Sequence, residues 1–306
     1  MIKMLWTEKY RPKYIRDVIG QDAFVMDAES WAEVGDMPNV LLFGNAGLGK
    51  TAGAYALART MLKDDFNSNF IEVNASDDRR LETVRTKIKE VASTGKIGEA
   101  PFRIILLDEM DGMTNDAQNA LKRLMERYSH NVRFIITCNE RNRIIYPIQS
   151  RCANYLFSPL SNEKIATIIS NILQSEGIDE KKVEGIGPFI ASFNGDVRRS
   201  ITELQAAIAS NKPLKEQTAL GLREYENIIS HLTNQELDSA LTLLHELIYA
   251  GRSMKDICNG LHDVVMAGEF DHMKKYKLLR IIGEGEWRSM NMTPRVLASW
   301  MAGQMI

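Results

Sequence analysis

Between residues 40 and 157, short β-rich apolar runs alternate with helical stretches: Val40–Phe43, Phe70–Val73, Phe102–Leu107, Phe134–Thr137 and Asn154–Phe157. Strands separated by helices need crossover connections, so the spacing predicts an α/β domain with a parallel five-stranded sheet. The run from Arg103 to Leu107 is continuously apolar after its arginine and leads straight into acids, as expected of a central strand covered on both faces. Ligands of such sheets bind beyond the carboxyl ends of the strands. The polar residues at those ends are where chemistry is expected.

After Ser158-Pro159 the pattern turns helical. Residues 161–176, 181–193 and 196–210 predict three short helices, a small lid. Lys212-Pro213 and the polar stretch to about residue 220 read as a linker. Residues 221–306 read as a further all-α unit, with Ile228, Leu232, Leu237, Leu241, Leu244 and Leu247 at helical spacing. That stripe is read as core rather than as a partner groove. The expected domains are therefore 1–158, 159–220 and 221–306.

Composition changes this picture little. The 306 residues are 44% hydrophobic and 25% charged, with a formal charge of -2, so bulk charge does not mark a nucleic-acid coat. Any such contact must come from a local basic strip. No apolar run approaches the roughly 18 residues of a membrane span. The first residues lack the apolar region and cleavage site of a secretory signal. Cys138, Cys152 and Cys258 form no CxxC pair, which suggests neither zinc nor disulfides. An intracellular, reducing location is expected, cytoplasmic or nuclear.

The strongest chemical signal is GNAGLGKT, Gly44 to Thr51, directly after an apolar strand and opening a helix. Glycines let backbone N–H groups curl around phosphates, and the helix N-terminus adds free donors and a favourable dipole. Gly44, Gly47, Leu48, Gly49 and Ala52 belong to this candidate cradle. Lys50 is placed to reach the β- and γ-phosphates of ATP, and Thr51 to ligate Mg²⁺. Asp108-Glu109-Met110-Asp111 ends the buried strand. Asp108 is the second candidate for Mg²⁺, and Glu109 is placed to orient and deprotonate a water. The next strand ends Thr137-Cys138-Asn139, where Asn139 could hydrogen-bond the γ-phosphate or that water; a turn-forming Asn is the alternative.

Between Arg79 and Lys89 lie five basic residues, Arg79, Arg80, Arg85, Lys87 and Lys89, against one acid, Glu82. On a helix starting near Leu81, Arg85 and Lys89 share a face. Such a strip can track duplex phosphates without sequence choice. A solvated basic helix face is the alternative. Arg143 is a further phosphate-contact candidate.

WTEKYRP (Trp6 to Pro12), the P-loop, NASDDRR (Asn74 to Arg80), DEMD, TCN, IQSRC (Ile148 to Cys152) and GDVRRSI (Gly195 to Ile201) occur in this order. The set resembles the motif series of replication factor C small subunits and their phage counterparts, the clamp-loader ATPases of the AAA+ class. The resemblance covers roughly residues 5–205; the last third matches only in being helical and of the right length for an oligomerising collar. It implies an ATP-hydrolysing subunit of a hetero-oligomer, expected to be pentameric, that acts on a ring-shaped sliding clamp and primer-template DNA. By resemblance, Thr7, Glu8, Lys9, Tyr10 and Ile19 line the adenine site, Asn139 is sensor 1 and Arg198 is sensor 2. Arg151 matches the arginine finger that enters a neighbouring subunit's site, and Arg79 couples DNA contact to release of Glu109, with Asn74 as holding partner. Residues 97–102 correspond to the clamp-facing surface, although Ile97 and Phe102 themselves read as core. One departure is Asn45-Ala46, where the family usually carries two prolines. An AAA+ helicase loader or branch-migration motor is the alternative, disfavoured by Ser-Arg-Cys together with WTEKYRP.

Overall fold

Five parallel strands form one sheet in the computed structural model, which describes residues 4–74, 95–180, 183–193, 195–211 and 214–305. The strands are β1 (Asn39–Phe43), β2 (Phe70–Asn74), β3 (Arg103–Asp108), β4 (Val132–Cys138) and β5 (Cys152–Leu156), in the order β2-β3-β4-β1-β5. Every neighbouring pair is parallel. Alternation along the strands splits the core in two. Val40, Leu42, Ile104, Leu106 and Ile135 join Phe24, Ala54, Leu57 and Phe157 on one face. Leu41, Ile105, Leu107, Phe134 and Ile136 join Leu121 and Leu124 on the other. Helices therefore cover both faces, which is why β3 reads as an unbroken apolar run: Ile104, Ile105, Leu106 and Leu107 are all fully buried. Each such side chain stabilises the fold by about 1.5–3 kcal/mol.

Among the described residues, the helices of this region are α1 (Trp6–Lys9), α2 (Asp22–Val34), α3 (Lys50–Leu62), α4 (Phe66–Asn69), α5 (Asn115–Arg127) and α6 (Tyr146–Gln149). The lid helices follow as α7 (Asn162–Ser175), α8 (Ile186–Ala191) and α9 (Val197–Ser210). Thr114, Ser161 and Asp196 cap α5, α7 and α9, each accepting the backbone N–H three residues on. Each cap is worth about 1 kcal/mol. The middle lid helix is shorter than the span 181–193 expected, because Gly185, in the left-handed conformation, starts it late.

Sheet and lid belong to one compact unit, Met1–Asn211; the other is Lys212–Ile306. The boundary thus falls before the expected linker. Helix α10 (Leu214–Thr233) occupies most of that stretch, since Leu, Lys, Glu, Gln and Ala are all strong helix formers whatever their polarity. The second unit continues with α11 (Leu237–Tyr249), α12 (Met254–Ala267), α13 (His272–Arg288) and α14 (Pro294–Met305). The leucine stripe is divided between two helices by a turn at Gln235, whose φ is 65°. It still faces one core: Ile228, Leu232, Leu244 and Leu247 are buried, with Leu237 and Leu241 packed against them. Among the described residues, no helix is long and apolar enough to cross a membrane.

Candidate functional site

A cavity of about 300 Å³ opens at the carboxyl ends of β1, β3 and β4. Its floor is the loop between β1 and α3. Gly44 and Gly47 there have φ of 139° and 82°. A Cβ on Gly44 would lie 2.3 Å from the Phe157 carbonyl oxygen, and one on Gly47 would lie 2.1 Å from Asp196 Oδ1. The loop can follow this path only with glycine at both positions. Gly49, also left-handed, caps α3 without a side-chain hydrogen bond.

Lys50 is 8% exposed, and its Nζ donates to the carbonyls of Gly44 and Asn45, each at 2.7 Å, and to Asn139 Oδ1 at 2.9 Å. Burial holds its amine below the ordinary lysine range, and the carboxylates of Asp108 and Asp111 act against that shift. Thr51 Oγ1 donates to Asp108 at 3.1 Å. Thr137, on β4, donates to the same carboxylate and accepts the Glu109 N–H at 3.1 Å. Glu109 is exposed and has φ 54° and ψ 44°. This conformation costs a non-glycine residue roughly 1–2 kcal/mol. Cys138 lines the cavity too, but burial pushes its thiol up to about 12, leaving it an uncharged wall.

The lid lines the site as well. Arg198 lines the cavity, and its backbone N–H donates to the Gly47 carbonyl at 3.3 Å. Helix α7 contributes Ile168, Asn171, Ile172 and Ser175, opposite Thr7, Glu8, Tyr10 and Ile19 of the N-terminal segment. Residues 168, 171, 172 and 175 share one face of a helix, a spacing visible in the sequence but not assigned to the site there. The N-terminal segment is tied to the lid as well. Trp6 N–H donates to Gln205 Oε1 at 2.9 Å, and Gln205 Nε2 returns to the Met4 carbonyl at 3.0 Å.

Of the expected site residues, the cavity brings together Thr7, Glu8, Tyr10, Ile19, Gly47, Leu48, Gly49, Lys50, Thr51, Ala52, Asp108, Glu109, Asn139 and Arg198. Gly44 contributes its carbonyl to Lys50. Lys9 does not line the cavity: its ammonium pairs with Glu176 at 2.7 Å, alongside the Tyr10 hydroxyl, and holds that carboxyl below the usual range. Arg151 is exposed and stands outside its own chain's cavity. Its guanidinium pairs with Glu126 at the end of α5 and donates to the Pro147 carbonyl at 2.6 Å. Arg143 is exposed and pairs with Glu140 at 3.0 Å. Arg79, Arg80, Arg85, Lys87 and Lys89 lie outside the described residues. Phe102 is core as expected, but Ile97 is 50% exposed. Its backbone N–H and carbonyl are both held by the Asn69 amide, at 2.8 and 2.7 Å, so the loop is anchored without burying the side chain.

The donor set fits a nucleoside triphosphate with Mg²⁺. A helix start with no side-chain cap lies beside the Lys50 ammonium, and a hydroxyl and a carboxylate lie together where a hard cation would take oxygen ligands.

Comparison with known proteins identifies the family. Residues 40–160 match the family model described as "ATPase family associated with various cellular activities (AAA)". Residues 223–291 match the replication factor C C-terminal domain. The chain is 41% identical to the replication factor C small subunit of Methanocella arvoryzae, over 93% of this chain and 90% of that protein. It is 37% identical to the one from Methanococcus maripaludis, over 92% of each. Among solved structures, the Thermotoga maritima RuvB Holliday junction branch migration motor superposes with a TM-score of 0.55, covering 95% of this chain and 88% of that one. At 15% identity this last likeness is one of fold alone. With its phosphate-binding loop, parallel sheet and helical C-terminal unit, the chain belongs to the replication factor C small subunit family.

Proposed function

We propose that this chain is an ATP-hydrolysing subunit of a DNA sliding-clamp loader, in which ATP binding opens the clamp and grips primer-template DNA and hydrolysis releases the loaded ring. One observation carries the reading. A single cavity gathers Lys50, Thr51, Asp108, Glu109, Asn139 and Arg198, while Arg151 stands exposed outside it. Lys50 and the first turn of α3 bind the phosphates, with Arg198 closing from the lid. Thr51 and Asp108 would hold Mg²⁺, which would supply positive charge against the phosphates. Glu109 orients the attacking water and takes its proton, with Asn139 beside it. Thr7, Glu8, Tyr10 and Ile19 line the nucleoside end.

Arg151 acts in the neighbouring subunit's site. A guanidinium suits that task because it is always charged and forks onto phosphate oxygens. Companion chains are therefore part of the working enzyme, in an assembly we take to be a hetero-pentamer. The second unit forms its collar. In support, Met273, Tyr276, Trp287 and Met290 are large apolar residues left exposed at helical spacing along and just after α13. Arg79, Arg80, Arg85 and Lys89, with Arg143, contact DNA phosphates.

The test is ATPase rate for the assembled complex alone, with primed DNA, and with DNA plus a ring-shaped clamp. Strong stimulation that needs both supports the reading. Glu109→Gln should trap ATP and stall loading; a variant that still loads clamps would reduce the chain to a scaffold.

A further inference from the structure

The two acids at the end of β3 are held by a residue to which no role has been given. Thr137 is 1% exposed, on β4, beside Asp108 in the parallel register that runs through Leu107 and Ile136. Its hydroxyl makes two bonds of fixed polarity. The Glu109 backbone N–H can only donate, so Thr137 Oγ1 accepts it, at 3.1 Å. That bond leaves the hydroxyl proton for the carboxylate of Asp108. One hydroxyl therefore sets both the direction of the Asp108 carboxylate and the left-handed backbone from which Glu109 projects.

We infer that Thr137 is a positioning residue of the ATP site: its buried hydroxyl orients Asp108 for Mg²⁺ and holds Glu109 in its left-handed backbone. The inference rests on the ATP-site reading above. Thr51 also donates to Asp108, but from the phosphate-binding loop, and it is itself a candidate cation ligand. If Thr51 were to ligate a cation, Thr137 would be the hydroxyl left on Asp108, because it is built into the sheet. Groups that orient a metal ligand in this way commonly matter nearly as much as the ligand.

The experiment compares Thr137→Val with Thr137→Ser in the full-length chain, reconstituted with its companion subunits. Valine keeps the shape and removes both bonds; serine keeps the hydroxyl. Two quantities are measured: the Mg²⁺ concentration that half-saturates binding of a fluorescent ATP analogue, and kcat against KM for ATP. For the valine variant, the Mg²⁺ requirement should rise and kcat fall by roughly 10–100-fold each, with KM for ATP changing much less. Serine should stay near wild type in both. A valine variant that matches wild type overturns the inference. So does a serine variant as impaired as valine, since the methyl group would then be what matters. A wild-type assembly that binds no Mg·ATP is a different result, which removes the ATP-site reading and this inference with it.

Discussion

The two units solve the packing problem in opposite ways. Among the described residues, every buried polar or charged side chain lies in the first unit: Lys50, Asn69, Arg103, Gln118, Thr137, Ser200 and Gln205. The second unit's buried residues are apolar ones, from Tyr225 to Met305, with the Nε2 of His245 buried beside them, and it leaves large apolar side chains outside. Burying a polar group costs stability unless it is hydrogen-bonded, so each one in the first unit comes with dedicated partners. Gln118, for example, donates to the Met113 and Arg143 carbonyls and accepts the Ile145 N–H. Lys50 is satisfied by three oxygens and Thr137 by two groups. Polar burial concentrates where directions must be fixed. Apolar burial suffices where only a shape has to be held.

The contrast can be broken or sharpened by substitution. The largest effect is expected at Arg151, outside both cores. Arg151→Ala should lower kcat of the assembled complex by roughly 10³-fold or more while each chain's own nucleotide affinity survives. A steady-state ATPase assay and a binding titration on the same sample check this; a fully active complex would break the reading. Next is Leu261, 1% exposed in the second unit. Leu261→Ala should cost about 2–5 kcal/mol of that unit's stability, followed by chemical denaturation, with ATP affinity unaltered. A large loss of affinity would mean the two units are not separate in their energetics. Lys50→Ala is the mirror experiment. It should weaken ATP binding by roughly 100-fold, the worth of a hydrogen bond to a charged group, with less effect on stability than Leu261→Ala. Calorimetric titration reads the affinity and a thermal melt the stability.

How far these features could be read in advance follows from distance along the chain. The phosphate loop and the acids of β3 were legible because strand, turn and helix are written within a few residues of one another. The sheet followed from the alternation of patterns. Lys9 stands outside the cavity because it pairs with Glu176, which lies 167 residues away, and no local signal points to that partner. The face of α7 was visible as spacing, yet nothing local says which side of a lid helix meets a ligand. Ile97 misled for another reason. A hydrophobic residue beside a strand is ordinarily core, but here the neighbouring Asn69 anchors the backbone and leaves the side chain outside. The stretch after Pro213 departs from the expected linker because helix propensity prevails there over polarity.

The clasp between Trp6 and Gln205 has a consequence for the chain as it is being made. Its two ends are 199 positions apart, and the cavity's lining runs from Thr7 to Ile201. A growing polypeptide holds the β1–α3 loop, Asp108 and Glu109 long before the last lid helix emerges, so a nascent chain short of about residue 205 lacks part of the cavity's lining and one end of the clasp. Closing so long a loop is slow and comes late. The complete cavity thereby waits on the whole of the first unit.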